Sequence, residues 1–224
     1  MRIVDLSQPI YQGMPVFPGH QKTVIWKDNT HEQTREKLNH LASYQTLGIM
    51  MSDHTGTHVD AFSHFNNSSA ALTIDLINLV NFVTPGICLD VSFLNPGDSI
   101  DEAILREACT SSGLIIKPGS TVILYTGFQP SHDNFSSIKN ISPSGIEYLH
   151  RKNVVNIGTD ALSIDNKKSS FSAHQTCVDK GIMNTENLAN LEQIANQSFL
   201  YVGLPLKIVG GTGSPIRSVA IFEL

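Results

Sequence analysis

The chain has 224 residues, 41% of them apolar and 16% charged, with a formal net charge of −5. That length suffices for a single domain over residues 1–224 with a well-buried core, and the acidic balance gives no electrostatic footprint for nucleic acid or an anionic membrane surface. No apolar run approaches the eighteen or so residues of a membrane span, and Met1-Arg2-Ile3-Val4-Asp5 puts a carboxylate where a signal peptide needs its apolar stretch, so a cytoplasmic protein acting on small molecules is expected.

In chain order, residues 2–6 read as a first strand, rich in β-branched and apolar side chains. The proline-rich loop Gln12-Gly13-Met14-Pro15-Val16-Phe17-Pro18-Gly19 follows; it is either a surface connection or a rigid carrier of Phe17 into a pocket. Further strands are expected at residues 23–26, 86–91, 121–126, 154–158, 199–204 and 218–223. Between them, Ser99-Ile100-Asp101-Glu102 has the form of a capping box opening a helix toward Thr110, with Gly113 beyond its end. Ser142-Pro143 starts another, running to Arg151. Ser169 or Ser170 is expected to cap a helix through Asp179, stopped at Gly181, and Asn184 or Thr185 to open one with Leu188, Leu191 and Ala195 on one face. Gly210-Gly211-Thr212-Gly213-Ser214-Pro215 lacks the lysine and following helix of a phosphate loop and reads as a turn. The alternation of strands and helices without repeats predicts an α/β domain with a mixed sheet.

The densest chemistry lies between Ser52 and Phe65, where His54, His58 and His64 accompany Asp53 and Asp60 around Gly56, in a chain with nine histidines. Imidazole and carboxylate without thiolate suit Zn²⁺, Mn²⁺ or Fe²⁺ in an open, catalytic site. In an extended chain the Cα atoms of His54 and His58 would stand about 13 Å apart, whereas ligands of one ion converge to bonds of about 2.0–2.2 Å. A helix would turn Asp60 away from His58. The segment must therefore fold on itself, in a turn opening at Gly56.

Farther along, His174 falls on the face of its expected helix that carries Phe171 and Val178, and Glu186 in the first turn of the next. A core histidine and a helix-start carboxylate are their ordinary readings; together they would complete a second ion sharing Asp60. Cys88, Cys109 and Cys177 are odd in number, with no C-x-x-C pair, and read as reduced, mostly buried thiols. A redox or nucleophilic role for Cys177, three residues after His174, is the weaker alternative.

The run His54-Thr55-Gly56-Thr57-His58-Val59-Asp60 with His64-Phe65 resembles the signature of the cyclase family of metal-dependent hydrolases, which includes kynurenine formamidases and isatin hydrolases. The resemblance extends through Asp5-Leu6-Ser7-Gln8-Pro9-Ile10, Pro18-Gly19, Gly158-Thr159-Asp160, Ser163-Ile164-Asp165, His174, Glu186-Asn187-Leu188, Leu204-Pro205-Leu206-Lys207 and Gly213-Ser214-Pro215-Ile216-Arg217. It implies a swivelling β/β/α fold, assembly as a homodimer or homotetramer, and one or two divalent ions, Zn²⁺ or Mn²⁺. His54, His58 and Asp60 would hold one ion and Asp60, His174 and Glu186 a second, with His64 the catalytic acid–base group. Four positions depart from the family pattern. Phe62 stands for proline, Tyr125 for an arginine, Phe17 for the tryptophan of kynurenine formamidases and Thr212 for an aspartate; Phe17, Phe62 and Tyr125 are candidates to line the substrate pocket.

The expected activity is hydrolysis of an amide-type bond by a metal-bound hydroxide, with N-formylkynurenine giving kynurenine and formate. A cyclic amide or imide such as isatin is the alternative. A metal-dependent binding protein and a metal-assisted lyase are the rivals from other classes; a pure binder has no use for His64 just outside the ligand set.

Overall fold

In the computed structural model, which describes residues 1–128 and 134–223, each of the seven segments expected as strand forms one. The first third of the chain holds β1 (Arg2–Asp5), β2 (Val24–Asn29), α1 (His31–Lys37), β3 (Thr46–Met50) and β4 (His58–Asp60). Next come β5 (Val83–Asp90), β6 (Ser99–Ile100), α2 (Glu102–Ser112), β7 (Thr121–Tyr125), β8 (Asn140–Ile141) and α3 (Pro143–Arg151). The last third adds β9 (Asn156–Thr159), α4 (Ser172–Lys180), β10 (Met183–Glu186), β11 (Ser198–Val202), β12 (Gly213–Pro215) and β13 (Val219–Phe222).

Nine strands make one mixed sheet in the order β1-β13-β11-β5-β7-β9-β10-β4-β12. Its middle, β5-β7-β9-β10, is parallel, and the strands on either side are antiparallel. Parallel strands are covered on both faces, which explains the unbroken apolar runs Ile87-Cys88-Leu89 and Val122-Ile123-Leu124. Ile87, Leu89, Val122, Leu124 and Ile157 pack with Leu105, Ile146, Leu149 and Cys177 of the three longer helices. On the opposite face Cys88 and Ile123 meet Leu6, Leu188, Leu191 and Tyr201. Each complete burial of a Leu or Ile contributes roughly 1.5–3 kcal/mol. The hairpin β2–β3 stands apart as a two-stranded sheet, and α1 between its strands carries the capping box Thr30–Gln33, which the sequence analysis did not single out.

Five expectations need correction. Asp101, not Ser99, caps α2, accepting from the Ile104 amide at 3.0 Å, because Ser99 is drawn into β6. Neither Ser169 nor Ser170 caps α4; the carboxylate of Asp165 accepts from the amides of Ala173 and His174 at 3.1 and 3.0 Å, and Phe171 takes the N-cap position without a side-chain bond. The face of α4 turned inward is Ala173, His174 and Cys177, so Phe171 is left exposed rather than in the core.

The helix expected from Asn184 or Thr185 does not form. That segment is β10, paired with β9 on one side and β4 on the other, and pairing on both edges outweighs the helical spacing of Leu188, Leu191 and Ala195. Asn187 and Asn190 then turn the chain through left-handed conformations at φ 58° and 57°, leaving only the short 3-10 turn Leu191–Gln193. The Gly210–Pro215 stretch is a turn only in its first half; Gly213–Pro215 becomes β12 at the sheet edge next to β4.

Candidate metal centre

Gly56, at φ +64°, turns the chain between His54 and β4, as the convergence argument required. His58 and Asp60, two apart on β4, face the same side of the sheet. Glu186 lies directly across from His58 in the antiparallel pair, so the two side chains share that face. His174 arrives from α4, and Gly181, at φ +67°, turns the chain from this helix into β10. His174 and Glu186 are thus brought together by helix, turn and strand.

All five side chains are buried. Nδ1 of His54 lies 2.8 Å from Oδ1 of Asp60, and Nε2 of His58 lies 3.3 Å from the same oxygen. Nε2 of His174 lies 3.6 Å from Oδ2 of Asp60 and 3.1 Å from Oε1 of Glu186. His54, His58 and Asp60 form one group whose ligand atoms lie within 4.8 Å of one another, and Asp60, His174 and Glu186 form another. Asp60 belongs to both.

The proton positions argue for a cation here. Nδ1 of His58 bonds the Gly56 carbonyl at 2.8 Å and Nδ1 of His174 bonds Asp165 at 2.6 Å, so each ring donates outward and turns its Nε2 lone pair toward carboxylates. On His54, Nε2 bonds the Thr212 hydroxyl at 2.9 Å, and that hydroxyl donates to Asp53 at 2.9 Å, leaving the Nδ1 lone pair toward Asp60. Despite their proximity, His54 and Asp60 do not meet in hydrogen-bond geometry, and buried Oδ1 of Asp60 has no hydrogen-bond partner among the described residues. Lone pairs facing a carboxylate repel unless a positive charge lies between them, so the donor set fits a divalent ion. Without a metal, protons must fill that place. Burial disfavours the charged rings, but the adjacent carboxylate of Asp60, with that of Glu186, raises His58 to about 9, and the bond to Asp165 with the charge of Glu186 raises His174 to about 10. Asp60 is itself buried, which works the other way, yet the imidazoles hold its carboxyl well below the usual range.

Sequence reasoning missed several supporting groups. Asn184 donates to Asp60 at 2.8 Å and to Glu186 at 3.3 Å, and the Ile164 amide donates to Glu186 at 2.9 Å. Asp165, Asp53 and Thr212 lie far in sequence from, or at uninformative spacing to, the imidazoles that they orient. Gly213 leaves room for His54, because a Cβ there would stand 2.7 Å from Cε1 of that ring.

His64 sits at the end of the 3-10 turn Phe62–His64 immediately after β4, its ring stacked on His54 with centroids 4.0 Å apart. Burial and the neighbouring His54 and His174 rings lower its pKa against the pull of Asp60 and Glu186, favouring neutral imidazole. It faces a cavity of about 440 Å³ whose floor includes His54, His58, His174 and Glu186. Phe17, Phe65 and Phe171 line its walls, with His20, which the sequence analysis had not singled out. Phe17 therefore lines this cavity. Phe62 and Tyr125 do not line it: Phe62 packs against the cluster of Val59, Ala61 and Ile74, and Tyr125, at the end of β7, packs against that of Cys88 and Ile123. Cys177 is buried among the helices, where desolvation and then nearby carboxylates push its thiol well up, against a nucleophilic role.

Residues 4–166 match the sequence profile of the family described as "Putative cyclase". A kynurenine formamidase from Salinibacter ruber is 30% identical over 220 residues, covering 98% of this chain and 97% of that protein. Among solved structures, isatin hydrolase A from Labrenzia aggregata, bound to benzyl benzoate, superposes with a TM-score of 0.86 at 24% identity, covering 99% of this chain and 94% of that one. A potential metal-dependent hydrolase with cyclase activity superposes with a TM-score of 0.75 at 25% identity, covering 98% and 96%.

Proposed function

The chain belongs to the cyclase family, and we propose that it is a metal-dependent hydrolase of amide-type bonds whose preferred substrate is N-formylkynurenine, cleaved to kynurenine and formate. The observation that carries this reading is the cavity, which sets aromatic walls of Phe17, Phe65 and Phe171 above a floor of imidazoles and carboxylates, with His64 beside them. An aryl group fits such walls, and a scissile amide fits such a floor.

On this reading His54, His58 and Asp60 hold one Zn²⁺ or Mn²⁺ ion, and Asp60, His174 and Glu186 a second. When bound, a divalent ion supplies Lewis acidity at the amide carbonyl and lowers the pKa of a water molecule. His64 takes the proton of the attacking water as the new C–O bond forms, and returns it to the nitrogen as the C–N bond breaks. Its neutral state suits the first role. Asp165, the Gly56 carbonyl and the Thr212–Asp53 pair fix the three ligand rings, so little reorganisation accompanies the reaction.

The same reading has the protein working in the cytoplasm, in keeping with three free cysteines, as a homodimer or homotetramer. Trp26, Leu47, Ile49 and Met50 on the hairpin β2–β3, each about half exposed, support self-association. No helix among the described residues is long and apolar enough to cross a membrane.

The test is turnover by the metal-loaded protein of N-formylkynurenine and, separately, isatin, with products identified by mass. Formate and kynurenine from the first, at a higher kcat/KM than ring opening of the second, is the expected result. Preferential opening of isatin would reassign the substrate, and failure on both amides with turnover of a 2-oxo acid would overturn the hydrolytic reading.

A further inference from the structure

Phe171 is a bulky residue in a backbone conformation that suits glycine or asparagine. It and Ser170 both lie in the left-handed region, at φ +60° and +50°, where Cβ crowds the following carbonyl. Among the described residues, five of the nine non-glycine residues at positive φ are asparagines, and Phe171 alone of the nine has a large apolar side chain. Burial does not offset the cost, because the residue remains 45% exposed.

The ring instead lines the cavity. Its centroid is 5.5 Å from that of Phe65 and 6.2 Å from that of His174, while Phe65 stacks on His174 at 4.4 Å. Phe65 and Phe171 thus continue an aromatic surface away from His174. Phe17 and His20, whose rings are 5.3 Å apart, also line the cavity but come from the loop before β2.

We propose that Phe171 is a specificity-determining residue, kept in an unfavourable backbone conformation so that its ring forms the outer part of an aromatic wall against which the aryl group of an amide substrate packs. This rests on the reading of the protein as an arylformamide hydrolase. The place of the ring in the cavity beside Phe65 accounts for a half-exposed phenylalanine at a position that strain disfavours.

The experiment compares wild type with Phe171→Gly, Phe171→Leu and Phe171→Tyr in the metal-loaded protein. Binding of 2-aminoacetophenone, the aromatic part of the product without its amino-acid tail, is measured by calorimetry, with metal per chain, melting temperature and N-formylkynurenine kinetics. In the Gly and Leu variants, Kd and KM should rise about 2–12-fold, the range that one aromatic pair supplies, with kcat and metal content unchanged. The Tyr variant should retain wild-type values. The melting temperature of Phe171→Gly should hold or rise, since glycine removes the left-handed penalty. Unchanged Kd in Phe171→Gly, or no binding of the probe by wild type, overturns the proposal; so does a rise in Kd together with a fall in kcat and melting temperature in all three variants, which marks a packing residue. Weaker probe binding in Phe171→Gly, in a protein that cleaves no formamide, would keep the wall and discard the assigned reaction.

Discussion

His64 stacks on His54 with ring centroids 4.0 Å apart, yet neither of its ring nitrogens comes within 4.0 Å of a carboxylate oxygen among the described residues. It touches the ligand cluster without joining it. His64→Ala should therefore keep its metal while turnover falls by about 10²–10⁴, the usual contribution of a positioned acid–base group. Elemental analysis and kcat on the same preparation check this, and metal loss equal to that of a ligand variant would make His64 a ligand instead.

His58→Ala and Asp60→Asn should behave differently, losing bound metal and activity together. Asp60 is the sharper case because it stands within reach of His54, His58 and His174. Its neutral amide would remove the negative charge that both donor groups share. Retention of full metal content by Asp60→Asn after dialysis would contradict its place at the centre of the site.

The first half of this cluster is legible in sequence because His54, His58 and Asp60 fall within seven residues and only a turn can bring them together. The sheet centre is legible for a similar reason, since Val122-Ile123-Leu124 and Ile87-Cys88-Leu89 have no polar face to expose. What fails is what depends on distant partners. Glu186 looks like the start of a helix until β4 and β9 are seen on either side of it. Asp165, not a nearby serine, caps α4 because its carboxylate also serves the His174 ring, a double role that no local pattern encodes. Phe62 and Tyr125 could be recognised as departures from a family pattern, but only packing tells which departures face the cavity.

Thr212 offers a third test, because its hydroxyl accepts from Nε2 of His54 and donates to Asp53, orienting a ligand ring through one intermediary. Thr212→Val keeps the shape and removes both bonds. Its affinity for Zn²⁺, measured by competition with a chromogenic chelator, should fall about 10–100-fold, the usual cost of losing such an outer partner. Thr212→Ser should restore it, and a valine variant with wild-type affinity would show that the ring is held by packing alone.

Stability of the metal-free protein should depend on pH in a direction set by the buried rings. Burial opposes their charge, but carboxylate partners raise His58 to about 9 and His174 to about 10, above the ordinary 6.5. A raised folded-state pKa contributes stability that is fully present below about 6.5 and lost as pH climbs through 9 to 10. Melting temperature without metal should therefore fall from pH 7 to pH 10 more than in the metal-loaded protein, where the ion replaces the protons. Parallel curves for the two forms would exclude protonated rings from the metal-free site.

Glu186 decides whether one ion or two is held. It lies 3.1 Å from Nε2 of His174 and 3.6 Å from Nε2 of His58, at the end of β10 and within the second donor group. If Asp60 bridges two ions, Glu186→Gln removes a charged ligand of the second, and metal per chain should drop from two toward one while the first group keeps its ion. With a single ion at His54, His58 and Asp60, the same substitution should leave the stoichiometry unchanged. Asn184 and the Ile164 amide already hold one Glu186 oxygen, so a glutamine can keep its place and the fold is expected to survive. Elemental analysis after dialysis, wild type beside mutant, separates the cases: equal values remove Glu186 from the ligand set, and a wild-type value above one that falls in the mutant supports the second ion.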